Sequence, residues 1–148
     1  MPLSAEQRKI ASAFPEIRWA MADRICIFRP DEVLTRKLAA RLIAWLGEIE
    51  TDSLHPFNRF TDLTKLRAIE LSKLDLQNVA YWRRSTYKGP PVKSALLACS
   101  NESLELANAY RSFMAGSPIM VLVFQSLEEA AYWLGASAAS LSEANSSR

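Results

Sequence analysis

Apolar positions recur at two different intervals along this chain, and the switches between them divide it into strands and helices. In EIRWAMA, Ile17, Trp19 and Met21 alternate with polar or small residues, and after Asp23 and Arg24 a second apolar stretch, ICIF, begins. A period of two places alternate side chains on one face of a strand, so this predicts a hairpin of two short strands. From Thr35 the interval lengthens. Leu38, Leu42, Trp45, Leu46 and Ile49 fall at helical spacing, with Arg36, Lys37, Arg41 and Glu48 opposite. Thr35 can cap that helix, because its hydroxyl accepts from the unpaired amides of the first turn. FNRFTDL, residues 57 to 63, returns to alternation, with Phe57 and Arg59 facing one way and Phe60 the other. TKLRAIELSK reads as a loop. LDLQNVAYWRRSTY then predicts a helix with Leu76, Val79, Ala80 and Tyr87 at helical offsets and Asp75 as a cap. Gly89, Pro90 and Pro91 stop it, since proline lacks the amide and disfavours helical geometry before it.

VKSALLACS and IMVLVF are apolar almost throughout, as expected of strands covered on both faces. Between them Ser100 or Asn101 starts a helix whose Leu106, Ala107, Tyr110, Phe113 and Met114 form the buried stripe, and Gly116 stands where a left-handed residue ends it. Ser126 and Glu129 predict a capping box for the last helix, and Gly135 its end. The alternation predicts one α/β domain over residues 15–135. Its mixed, mostly parallel sheet has about five strands, an N-terminal hairpin followed by strand-helix units. Residues 1–14 form an N-terminal extension, and the small polar tail, 136–148, is expected to be disordered. A helical bundle is the rival architecture; the continuous runs ALLAC and IMVLVF, bounded by proline and caps, argue against it.

Composition narrows the function classes. The 148 residues are 49% hydrophobic and 23% charged, enough for one real core. A net charge of +2, from 18 basic and 16 acidic residues, supplies no general attraction for nucleic acid or anionic membranes. With no apolar run near the roughly 18 residues of a span and no leader-like start, the expectation is a soluble cytoplasmic protein without membrane insertion. Cys26 and Cys99 sit in apolar runs and read as small buried hydrophobes. The four glycines are scattered, the one histidine, His55, precedes a proline in a loop, and no carboxylates cluster. Nothing here suggests a phosphate cradle, a nucleophile-base pair, a metal site or a cofactor, so the chain is read as a non-enzyme. YWRRSTYK interleaves aromatics and cations as nucleic-acid contacts do. The simpler reading places Arg83 and Arg84 on the solvated side near a helix C-terminus, where the macrodipole favours cations. Trp82 lies off the apolar stripe and is expected to be part of an exposed interface with Arg83 and Arg84, whereas Trp45 and Trp133 read as packing.

The ending IMVLVFQSLEEAAYWLG resembles the closing unit of the SpoIIAA-like group of the STAS domain superfamily (sulfate transporter and anti-sigma-factor antagonist). ALLACSNESLELANAY is similar to that group's penultimate unit, and VLTRKLAARLIAWL to its first helix. The resemblance covers about Ile17 to Gly135 and implies a strand-helix superhelix and a bacterial-type regulatory module that docks a protein partner. In phosphorylatable members a strand ends in an Asp-Leu-Ser type sequence, and a loop then presents an acidic residue, two serines and a glycine. TDLTKLRAIELSKL looks like a degenerate copy. Asp62, Leu63 and Thr64 match the first part, and Ile69 and Glu70 the approach to the second. Leu71 stands at the phosphoacceptor position, with Ser72 one place later and Lys73 for the glycine, so capping is the preferred role for Ser72. The resemblance thus implies a docking or regulatory loop at Asp62, Thr64, Glu70 and Ser72. A small apolar-ligand or lipid-binding protein is the alternative, suggested by the aromatic content, and a homodimer is open.

Overall fold

The computed structural model describes residues 15–20, 23–52 and 55–142. It begins with three short strands, β1 (Ile17–Ala20), β2 (Ile25–Phe28) and β3 (Glu32–Thr35), then α1 (Arg36–Asp52), β4 (Asn58–Asp62) and β5 (Leu66–Glu70). There follow α2 (Lys73–Thr86), β6 (Val92–Leu97), α3 (Asn101–Phe113), β7 (Ile119–Phe124), α4 (Leu127–Leu134) and α5 (Ala138–Ser142). Five strands form one sheet in the order β1-β2-β4-β6-β7. β1 is antiparallel to β2, and every other neighbouring pair is parallel. This is the expected α/β fold with a mixed five-stranded sheet.

β3 and β5 pair in parallel as a separate two-stranded sheet. The segment TKLRAIELSK, expected as a loop, therefore contains a strand. LRAIE has a weak period and no fully buried residue, so its extended form rests on backbone pairing with β3, which sequence pattern does not display.

The two faces of the main sheet are covered by different helices. Cys26, Phe28, Phe57 and Leu96 pack with Trp45 and Ile49 of α1, Ala80 of α2 and Ala107 of α3. Ile25, Ile27, Phe60, Ala95 and Leu97 pack with Ala130 and Leu134 of α4 and Leu141 of α5. Phe57 and Phe60 thus enter opposite cores, as the alternation predicts.

Side-chain caps fix where the helices start. Thr35 accepts from the Leu38 amide at 3.0 Å. Ser72, rather than Asp75, is the N-cap of α2. Its hydroxyl accepts from the Asp75 amide, and the Asp75 carboxylate accepts from the Ser72 amide, each at 3.0 Å. That backbone hydrogen bond holds the Asp75 carboxyl below the usual carboxylate range. Ser100 caps α3. Ser126 caps α4 by accepting from the Glu129 amide, but the carboxylate its hydroxyl meets is that of Glu128, so the expected reciprocal box with Glu129 gives way to a neighbour. Gly135 closes α4 at φ 76°, a left-handed conformation that costs glycine little.

α5 falls within the tail expected to be disordered. The reason is one apolar residue in a polar stretch: Leu141 is fully buried under β1 and β2. Arg18 and Arg29 donate to the carbonyls of Ser140 and Leu141, and Ser140 Oγ donates to Asp23 Oδ2 at 2.9 Å. The extension 1–14, Met21 and residues 143–148 lie outside the described residues. No helix among the described residues is long and apolar enough to cross a membrane.

Candidate functional site

Alternation through β4 turns Phe57, Arg59 and Thr61 toward the face covered by α1, α2 and α3, which puts a guanidinium into an apolar core. Arg83 arrives there from α2 for a parallel reason. Leu76, Ala80 and Arg83 are its buried residues, successive positions of one helical stripe, and Tyr87 continues it. Arg83 was expected on the solvated side; it is 3% exposed. Glu50, in the last turn of α1, meets both cations. Its Oε2 accepts from Arg59 Nη2 at 2.5 Å and also from Arg83 Nη2. The three side chains are at most 9% exposed.

The cluster is held from several sides. Arg59 Nε donates to the Phe57 carbonyl at 3.1 Å. Its guanidinium carbon lies 4.5 Å from the Phe57 ring centroid and 5.1 Å from that of Tyr87, geometry in which ring faces attract a cation. Tyr87 is fixed in turn by donating its hydroxyl to the Pro90 carbonyl at 2.5 Å. A Cβ at Gly89 would lie 2.6 Å from that hydroxyl oxygen, so only glycine lets the Tyr87 ring pass.

Beside the cluster lies a cavity of about 120 Å³ between α1, α2, α3 and the sheet. Leu42, Leu46, Val79 and Leu106 are among its apolar lining, and Arg59, Arg83, Thr61 and Ser94 among its polar lining. Arg59 also borders a second cleft of about 410 Å³, of mixed lining, shared with Glu50, His55, Tyr87 and Lys88. A single guanidinium therefore borders both the apolar cavity and the mixed cleft.

Burial sets the charge states. Desolvation lowers the Arg59 pKa, and the Glu50 carboxylate opposes that shift. Burial raises the Tyr110 hydroxyl, partly offset by Arg83 and Arg59. Burial also pushes the Cys26 thiol, which lines the cavity, from an ordinary 9.0 to about 12. Cys26 is thus neutral and inert at neutral pH. Cys99 is exposed, contrary to the buried-thiol expectation, because it lies past the end of β6 with its sulfur 3.6 Å from the Gln125 carbonyl. Under native conditions a thiol reagent is expected to label Cys99 fast and Cys26 only on unfolding. A folded pKa above the unfolded one makes the Cys26 contribution complete below about pH 9 and progressively lost as pH rises from there toward 12. Two equally fast thiols at neutral pH would contradict this.

Of the residues singled out from sequence, Asp62 and Thr64 are brought together. Asp62 is buried, its Oδ2 accepting from Arg29 Nε at 3.0 Å and its Oδ1 from the Thr64 amide at 2.9 Å and hydroxyl at 2.6 Å. Thr64 and Glu70 are exposed, and Ser72 is engaged as a cap. Trp82 is exposed, and Arg84, also exposed, donates to the Ala115 carbonyl at 2.7 Å, tying α2 to the end of α3. Glu50 was not anticipated. Among the described residues no three His, Cys, Asp or Glu side chains are grouped to hold a metal ion. No protein-family model, curated protein or solved structure matches the chain.

Proposed function

We propose that the protein binds a small apolar molecule in the cavity between the sheet and α1, α2 and α3. The observation that carries this reading is the cavity itself. Protein interiors are close-packed, and apolar voids well above the size of a water molecule are few and stay dry or take apolar guests. The cavity is partly open to the surface, and its volume, about 120 Å³, approaches the roughly 150 Å³ of an engineered, closed apolar cavity that admits benzene. The site suits recognition: its thiol is held neutral, and the two guanidiniums in its wall are engaged by Glu50, which lies behind them in the neighbouring cleft. Benzene and hexan-1-ol at millimolar concentration are expected to raise the melting temperature, since a ligand bound only by the folded state stabilises it by mass action. Ala39→Leu, which adds volume at a buried cavity-lining position, is expected to abolish that rise while keeping the fold. No shift with any apolar probe in the parent chain would sink the reading.

A second reading, a regulatory STAS-like module docking a protein partner, is supported by a separate observation. Leu74, Tyr81 and Trp82 expose 64%, 68% and 57% of their surface along α2, which follows the Asp62–Ser72 segment. Exposed large apolar side chains on one element suit a partner surface. It becomes the leading reading if the cavity takes none of these probes.

A further inference from the structure

The cluster at the cavity wall does not balance its charge. Arg59 and Arg83 share the one carboxylate of Glu50, and both bond to the same oxygen, Oε2. Cys26, Tyr87 and Tyr110, which couple to these cations, are neutral at pH 7 at their ordinary values, and burial raises each further. Within this buried cluster one positive charge is therefore in excess. A second observation locates the vacancy in hydrogen bonding: Arg83 Nη1 is buried and has no hydrogen-bond partner. A buried guanidinium with an idle donor is costly, and native structures seldom leave one so.

We infer that the ligand is a small monocarboxylate, its apolar body in the cavity and its carboxylate paired with Arg83. This rests on the proposed cavity-binding function and adds the identity of the head group. One excess positive charge calls for a monoanion rather than a phosphate dianion. The apolar lining selects an amphipathic molecule over a free inorganic anion, and the volume limits the body to about the size of a benzene ring or a chain of similar bulk. A carboxylate supplies the single negative charge and accepts a charge-assisted hydrogen bond from the idle Nη1.

The test compares three probes with one tail, hexanoate, hexan-1-ol and hexylamine, titrated calorimetrically into the full chain at pH 7. Hexanoate is expected to bind at least about tenfold more tightly than the alcohol, and the amine not measurably, because charge-assisted hydrogen bonds exceed neutral ones and a second cation meets repulsion. Arg83→Met leaves Glu50 and Arg59 as a balanced pair. This variant is expected to fold and to lose the preference for the acid, so that whatever binding remains no longer separates acid from alcohol. Acid and alcohol binding equally to the parent chain would overturn the carboxylate assignment while leaving the cavity function standing. Binding of neither, with benzene also inert, would overturn both. An acid preference that survives in Arg83→Met would overturn the role given to Arg83.

Discussion

Glu50→Ala is expected to lower the unfolding free energy by about 3–5 kcal/mol, because removing one member of a buried ionic cluster leaves the others charged and desolvated. That is a large part of the roughly 5–15 kcal/mol available to a domain, so the variant should be near the edge of folding at room temperature. The effect exceeds an ordinary surface ion-pair deletion, worth about 1 kcal/mol or less, since Arg59 and Arg83 are 7% and 3% exposed. Charge balance also predicts an asymmetry: Arg83→Met, which leaves one cation with one anion, should cost clearly less than Glu50→Ala. Urea unfolding followed by tryptophan fluorescence measures both. A Glu50→Ala loss under about 1 kcal/mol, or the reverse order of the two variants, would show that water reaches the cluster.

Asp62→Asn is the second large effect, expected at about 2–4 kcal/mol. The substitution replaces the carboxylate facing a guanidinium that is itself buried and reaches the Leu141 carbonyl. It also weakens the acceptor that organises the Thr64 turn. Thermal unfolding gives the magnitude, and limited proteolysis shows whether α5 becomes accessible first. A melting temperature within a degree of the parent would leave Asp62 available for the docking role its resemblance implies; a large drop assigns any loss of partner binding to the fold.

The elements that carry the main sheet were legible because their signals were strong and local. The apolar runs of β6 and β7, the alternation around Phe60 and the serine and glycine caps each follow from a few adjacent residues. β5 was not legible, because its stability comes from pairing with β3 across 30 residues of chain rather than from its own pattern. α5 was missed for a related reason. A single buried leucine in a small polar segment cannot be told from a solvated one until the two arginines that meet its backbone are placed.

The site was half readable. The direction of Arg59 followed from strand alternation, and Arg83 stood at a stripe position of α2, three residues after Ala80 and four before Tyr87. That spacing was available, but two adjacent arginines near a helix end resemble solvated cations, and composition outweighed position in the expectation. Glu50 gave no local sign at all. It flanks the apolar stripe of α1, and its role exists only because β4 and α2 bring cations to it from 9 and 33 residues away.

The contacts of α5 have a consequence for how the protein is made. Arg18 and Arg29 reach carbonyls 122 and 112 residues later in the chain, so the α5 part of the cover over Ile25 and Ile27 arrives after all five strands of the sheet have been synthesised. Until then a nascent chain presents part of an apolar sheet face, the kind of surface that draws chaperones or self-association. α5 thus closes over the first strands of the sheet only after all five of its strands have been made.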